Sequence, residues 1–218
     1  MSVARKIMVR RLIISIILIP VCIVALYLTL IRDWRFLILG ETVDIHEAVS
    51  SGEDLKNLEG KFVTLRLNSC VGCFGSTQHY ISRAHAYSTG GGIPVGTDYH
   101  YVAWLEDDSF LAFTVREQKQ IDAANAITDE TYKAKDGYSV TTYEFTGRLK
   151  PINSSELKNY YHTALKDIGV ESTMIRDETV DTNDNRLFNL TIVFVAVVVL
   201  MISVSMLINA IKFLKYNK

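Results

Sequence analysis

The chain has 218 residues with 23 basic and 24 acidic side chains, and these charges are sorted along it rather than mixed. Residues 12–31 and 187–211 contain no Asp, Glu, Lys, Arg or His, which excludes an ion path or proton relay built from charged groups within this chain alone. The segment between them carries 16 of the basic residues and all 24 acids, a net charge of −8 that argues against general nucleic-acid binding.

Four basic residues, Arg5, Lys6, Arg10 and Arg11, precede the first apolar run. That run is 20 residues long, and at about 1.5 Å per residue it spans roughly 30 Å, the hydrocarbon thickness of a bilayer. Val, Ile and Leu dominate both runs, and insertion gains of a few tenths of a kcal/mol per residue sum to roughly 6–10 kcal/mol over a span. A cleaved secretory signal also begins with basic residues and an apolar core. The length of this run, and Arg32-Asp33-Trp34-Arg35 after it in place of a small-residue cleavage site, favour a retained anchor. Lys212, Lys215 and Lys218 follow the second run, so the positive-inside rule puts both termini in the cytoplasm. The expected division is a cytoplasmic basic N-terminus (1–11), a first transmembrane helix (12–31), an extracytoplasmic domain (32–186), a second transmembrane helix (187–211) and a cytoplasmic basic C-terminus (212–218). The lipid bilayer is therefore the first partner. Trp34, Phe36 and Phe188 stand where interfacial anchors belong. Within the spans, Pro20 is expected to bend the first helix, and Ser15, Cys22, Thr29, Asn189, Thr191, Ser203, Ser205 and Asn209 to hydrogen-bond within or between helices.

In the outer segment, residues 61–67 alternate Phe62, Thr64 and Arg66 with Val63, Leu65 and Leu67, the pattern of a half-buried strand. Residues 99–106 and 109–116, separated by Asp107-Asp108, read as a β-hairpin whose strands are apolar on both faces and so belong in the middle of a sheet. Residues 117–132 carry Ile121, Ala124, Ile127 and Thr128 at helical spacing, and 138–149 return to a strand in which Gly147 reads as a bulge or bend. Asn153-Ser154-Ser155 caps a helix with Leu157, Tyr161, Leu165 and Ile168 on one face, closed by Gly169. A last short strand fits within 170–180. The mixture predicts an α+β fold with an antiparallel sheet, preferably a small, partly closed barrel of the OB type.

Chemistry concentrates at Cys70-Val71-Gly72-Cys73, directly after the first strand. Outside the cytoplasm two thiols this close tend to oxidise, so one reading is a local disulfide pinning a loop. A second is thiol–disulfide exchange, with Cys70 attacking and Cys73 resolving. A third adds His79 and His85, giving C-x2-C-x5-H-x5-H and a tetrahedral zinc site, although the five-residue connection is short for a zinc finger. Glu106-Asp107-Asp108 has no calcium-loop spacing and reads as a solvated turn. The glycines at 90, 91, 92 and 96 match no phosphate-binding motif. With no further catalytic constellation, binding or assembly with another membrane or envelope protein is the expected work, and enzymatic activity the less favoured one.

The strand opening Gly60-Lys61-Phe62-Val63, the hairpin at 99–115 and the turn Thr146-Gly147-Arg148-Leu149-Lys150, set between two spans, resemble uncharacterised two-pass membrane proteins of Gram-positive bacteria. The resemblance covers most of the chain and implies a membrane location, but no activity or site residue.

Overall fold

The computed structural model describes residues 3–81, 93–135, 137–183 and 186–216. It divides into two compact units, one formed by residues 1–41 and 186–218 and the other by residues 42–185.

The first unit consists of α1 (Val3–Trp34), continued by a π-helical turn over Arg35–Leu39, and α5 (Arg186–Tyr216). Both helices are long and apolar enough to cross a membrane. Helical structure therefore runs past the expected boundary at residue 31 until Gly40, whose φ of 73° no β-substituted residue adopts readily. The side chains buried along these helices are small or polar and fall seven residues apart: Ser15 and Cys22 on α1, and Asn189, Ala196, Ser203 and Ala210 on α5. A seven-residue repeat keeps one stripe facing a neighbouring helix, and small side chains let the backbones approach. The two helices pack along this seam. Ser15 and Ser203 satisfy their hydroxyls internally, donating to the carbonyls of Arg11 and Val199 at 2.8 Å. Of the expected anchors, Trp34 is exposed and Phe36 is buried, while the Phe188 side chain lies outside the described residues.

The second unit is a mixed seven-stranded sheet with helices on both faces. Its strands are β1 (Val43–Asp44), β2 (Phe62–Leu67), β3 (Cys70–Ile81), β4 (Ile93–Trp104), β5 (Phe110–Val115), β6 (Tyr143–Pro151) and β7 (Ile175–Asp181), in the order β1-β2-β6-β7-β5-β4-β3. The expected hairpin is β4–β5, in register from Tyr99↔Val115 to Trp104↔Phe110. Its strands are interior ones, as their two apolar faces require. Tyr101, Ala103, Leu111, Phe113 and Val115 face a core completed by α2 (Ile45–Ser50), a 3₁₀ turn over Leu55–Leu58, and Ile121, Ala124 and Ile127 of α3 (Gln118–Lys133). Val102, Phe110 and Ala112 face the other way, onto Tyr161 and Leu165 of α4 (Ser155–Asp167). The Ser154 hydroxyl caps α4 by accepting from the Leu157 amide, and Gly169 closes it at φ 87°.

Several expectations need correction. The sheet is open rather than an OB-like barrel, and it is not purely antiparallel: β1 pairs with β2, and β5 with β7, in parallel. The α4 crossover brings β7 back between β5 and β6, a non-local pairing invisible to local periodicity. Strand β6 begins at Tyr143, not 138, and Ile168 is exposed just beyond α4. Gly147 is no bulge. It pairs regularly with Val63, and a Cβ there would lie 2.5 Å from the Asp181 carbonyl oxygen. Gly147→Ala should therefore destabilise the sheet unit by about 2–3 kcal/mol, because the obstacle is backbone that cannot rotate aside. Gly75→Ala, with nothing within 4 Å of the new Cβ, should stay within about 1 kcal/mol of the parent. Thermal unfolding of the full chain in detergent, followed by circular dichroism, checks both.

Candidate functional site

The C-x-x-C motif lies within the edge strand β3, not in a loop after β2. Bulges break the β3–β4 register between Cys70 and Gly72, between Cys73 and Gly75 and between His79 and Tyr80, leaving Cys70 opposite Ala103 and Cys73 opposite Tyr101. Two register positions correspond to about 7 Å of strand, beyond the usual Cα separation of disulfide-bonded cysteines. Both thiols are free, Cys70 buried and Cys73 exposed, so the expected disulfide is absent from the structure. Packing against α3 accounts for the bulged geometry. The Cys70 amide donates to the Thr131 hydroxyl at 3.2 Å, the Tyr132 hydroxyl donates to the Val71 carbonyl at 2.8 Å, and Gly72 takes φ 129° beside Thr128. Burial pushes the Cys70 thiol up to about 11, against the opposing hydrogen bond from Thr128. A thiol held protonated and out of solvent is a poor attacking group, so the geometry does not favour Cys70 as a redox nucleophile.

The proposed zinc ligands are likewise not gathered. Cys73 stands opposite Tyr101 and His79 opposite Gly96, five register positions apart on β4, on the order of 17 Å, whereas zinc ligands all lie within about 2.3 Å of the metal. His85 lies outside the described residues. The acidic hairpin tip is a turn, as expected: Asp107 accepts from the Ser109 amide and hydroxyl and also pairs with Arg176.

The structure instead assembles a polar cluster that sequence reasoning missed. Asp98 on β4, 8 % exposed, accepts from Arg116 Nε at 2.7 Å, His79 Nε2 at 2.7 Å and Asn183 Nδ2 at 3.1 Å. Two residues on, His100 is buried between the hydroxyls of Thr77 (2.8 Å from Nε2) and Thr114 (3.0 Å from Nδ1). These groups come together because cross-strand neighbours on β3, β4 and β5 share one face; Gly96 leaves room for the Arg116 side chain, which passes 3.3 Å from where a Cβ would sit. Burial alone would raise the Asp98 carboxyl, but the Arg116 and His79 hydrogen bonds and charges outweigh it and hold it below its ordinary value. Burial lowers His100, against the charges of Asp98 and Asp181, so its ring is neutral at pH 7. His79 and Arg116 are each 44 % exposed at their side chains and flank the buried carboxylate. Among the described residues no hydroxyl or thiol is bonded to the second ring nitrogen of His79, so the cluster orders the end of the sheet and presents two donors rather than a nucleophile. The residues lie at 79, 98, 116 and 183, and only their strand registers reveal the grouping.

One family model, described as a domain of unknown function (DUF8577), matches residues 2–211. The chain belongs to the DUF8577 family. No curated protein and no solved structure matches it. The DUF8577 match takes in the whole sheet unit, the first apolar helix and most of the second.

Asp98→Asn should lower stability at neutral pH by about 2 kcal/mol, since bonds to a charged acceptor are lost. Because the folded carboxyl titrates below its unfolded value, this contribution is present above about pH 4. It disappears as pH falls through the lowered folded value, and the two unfolding curves should converge there.

Proposed function

We propose that this chain is a membrane-anchored module, with both termini cytoplasmic and the sheet unit outside, that holds another membrane or envelope protein through the open edge of β3. The observation that carries this reading is the edge itself. Strand β3 runs for 12 residues and contains no Asp, Glu, Lys, Arg or Pro. It pairs with β4 on one side and, among the described residues, with no strand on the other. Exposed edges are normally protected by short length, charge, proline or bulges, because their free amides and carbonyls template pairing with another chain; the bulges of β3 lie before Gly75 and after His79, so Gly75 to His79 stay in regular register. Among the described residues, side chains of α3 hydrogen-bond this backbone at its start, at the Cys70 amide and the Val71 carbonyl. From Phe74 onward the strand carries no Asp, Glu, Lys or Arg and offers hydrogen-bonding surface, including exposed Tyr80, in the geometry used for strand addition. The orientation rests on the basic flanks, Arg5 to Arg11 and Lys212 to Lys218.

A photo-crosslinking amino acid at Gln78, on this edge, should give a discrete adduct with another protein in intact cells, and one at exposed Tyr160 on α4 should not. Adducts at neither position, or the same set at both, would contradict the edge. In the same cells, a cysteine at 160 in a chain whose own cysteines are serine should react with a membrane-impermeant maleimide, and one at 215 only after permeabilisation; the reverse pattern overturns the orientation.

A further inference from the structure

A cleft of about 420 Å³ opens between the segment joining α2 to the following 3₁₀ turn and the first half of β7. Its walls include Glu53, Asp54, Lys56, Arg176 and Glu178, none of them part of β3. Glu178 precedes Val180 by two residues and so shares its face of β7, beneath Ile45, Ala48, Leu55 and Leu58. It is 4 % exposed, and its carboxylate accepts a hydrogen bond from its own backbone amide but forms no ion pair among the described residues. Burial, helped by the charges of Glu59 and Asp177, raises its carboxyl above the ordinary value, against the hydrogen bond from its own backbone and the charge of Lys56. Asp107 and Asp177 also line the cleft, but the Asp107 carboxylate is taken up by Arg176 and that of Asp177 by Lys158 and His162, at 2.6 and 2.8 Å, on the other face of β7. Arg176 shares the face of Glu178. Its Nη2 donates to Asp107 at 2.8 Å, while its Nε is buried with no acceptor.

A buried carboxylate without a cation and a buried guanidinium N–H without an acceptor are each unfavourable, and two positions along one strand face place them about 7 Å apart at their backbones. We propose that the cleft binds a small zwitterion, an α-amino acid, with its ammonium group on the Glu178 carboxylate and its own carboxylate accepting from the Arg176 guanidinium. A simple amine would satisfy only Glu178, a simple acid only Arg176, and a metal cation would leave the Arg176 donor unpaired. The volume lies in the range of small-molecule sites and accommodates a side chain beyond the two charged groups. The site is separate from the β3 edge, so either can fail while the other stands.

The test is a thermal-shift titration of the full chain in detergent with each of the common L-amino acids, followed, for any that acts, by the matching decarboxylated amine and deaminated acid. At least one amino acid should raise Tm saturably, and neither of its halves should do so. Glu178→Gln should abolish the shift; because it removes an uncompensated buried charge, its ligand-free Tm at pH 7 should equal or exceed that of the parent, and the two should agree below about pH 4.5, where the unfolded carboxyl is also protonated. Arg176→Lys, which keeps the charge facing Asp107 but lacks Nε, should weaken binding by about tenfold. The proposal is overturned if no amino acid shifts Tm, if the amine alone or calcium ions shift it as much, or if both variants bind as the parent does.

Discussion

The sheet unit depends on one constraint, that the β4–β5 pair is apolar on both faces. Phe113 packs between Tyr101 and Phe145 on one side of the sheet, with ring centroids 5.5 and 5.0 Å away, while Phe110 and Val102 belong to the opposite core. Burying each such side chain contributes roughly 1.5–3 kcal/mol, so leaving either face wet would undo the fold. Two helices on opposite faces solve this. α3 follows β5 immediately and covers one side, and α4 follows β6 and covers the other, the Tyr161 hydroxyl donating to the Phe110 carbonyl at 2.8 Å. The rest of the sheet is arranged around that core: β7 flanks β5 on one side and β3 flanks β4 on the other. Strand β3 is thereby left as an edge.

Much of this arrangement was legible in local pattern. The β4–β5 hairpin announced itself through two aromatic and β-branched runs around Asp107-Asp108, α3 through Ile121, Ala124 and Ile127, and α4 through the Ser154 cap and Gly169. What was not legible depended on pairing at a distance. The parallel β5–β7 ladder joins residues some 65 apart, and nothing in the periodicity of either strand encodes its neighbour. Gly147 reads as a bulge in sequence because its actual reason, the backbone of Asp181, is 34 residues away. The C-x-x-C pair reads as a loop because glycine signals a turn, whereas here Gly72, at φ 129° beside Thr128, sits in a bulged strand against α3. The Asp98 cluster and the Glu178 cleft are likewise invisible until strand registers are known.

The helical unit shows the same contrast. Length and apolarity pick out both helices as long enough to cross a membrane, but the seam between them lies in a repeat of small residues that hydropathy averages away. Ser15, Cys22, Ala196, Ser203 and Ala210 are buried, while most of the large Ile, Val and Leu side chains point outward. That distribution is the inverse of a water-soluble helix pair and matches helices whose surroundings are as apolar as their own surfaces. Ser205 and Asn209, expected to join helix contacts, are exposed on α5 instead.

The functional account turns on whether β3 is open along its outer side in the intact protein. Hydrogen–deuterium exchange of the full chain in lipid nanodiscs, resolved to single amides, addresses this directly. The account predicts the slowest exchange in β4 and β5, and from Gly75 to His79 of β3, where the register is regular, an alternation, with amides bonded to β4 protected and their outward-pointing neighbours exchanging freely. Uniform protection along β3 in the purified chain would mean that the protein covers this edge itself, and would contradict its role as a docking strand.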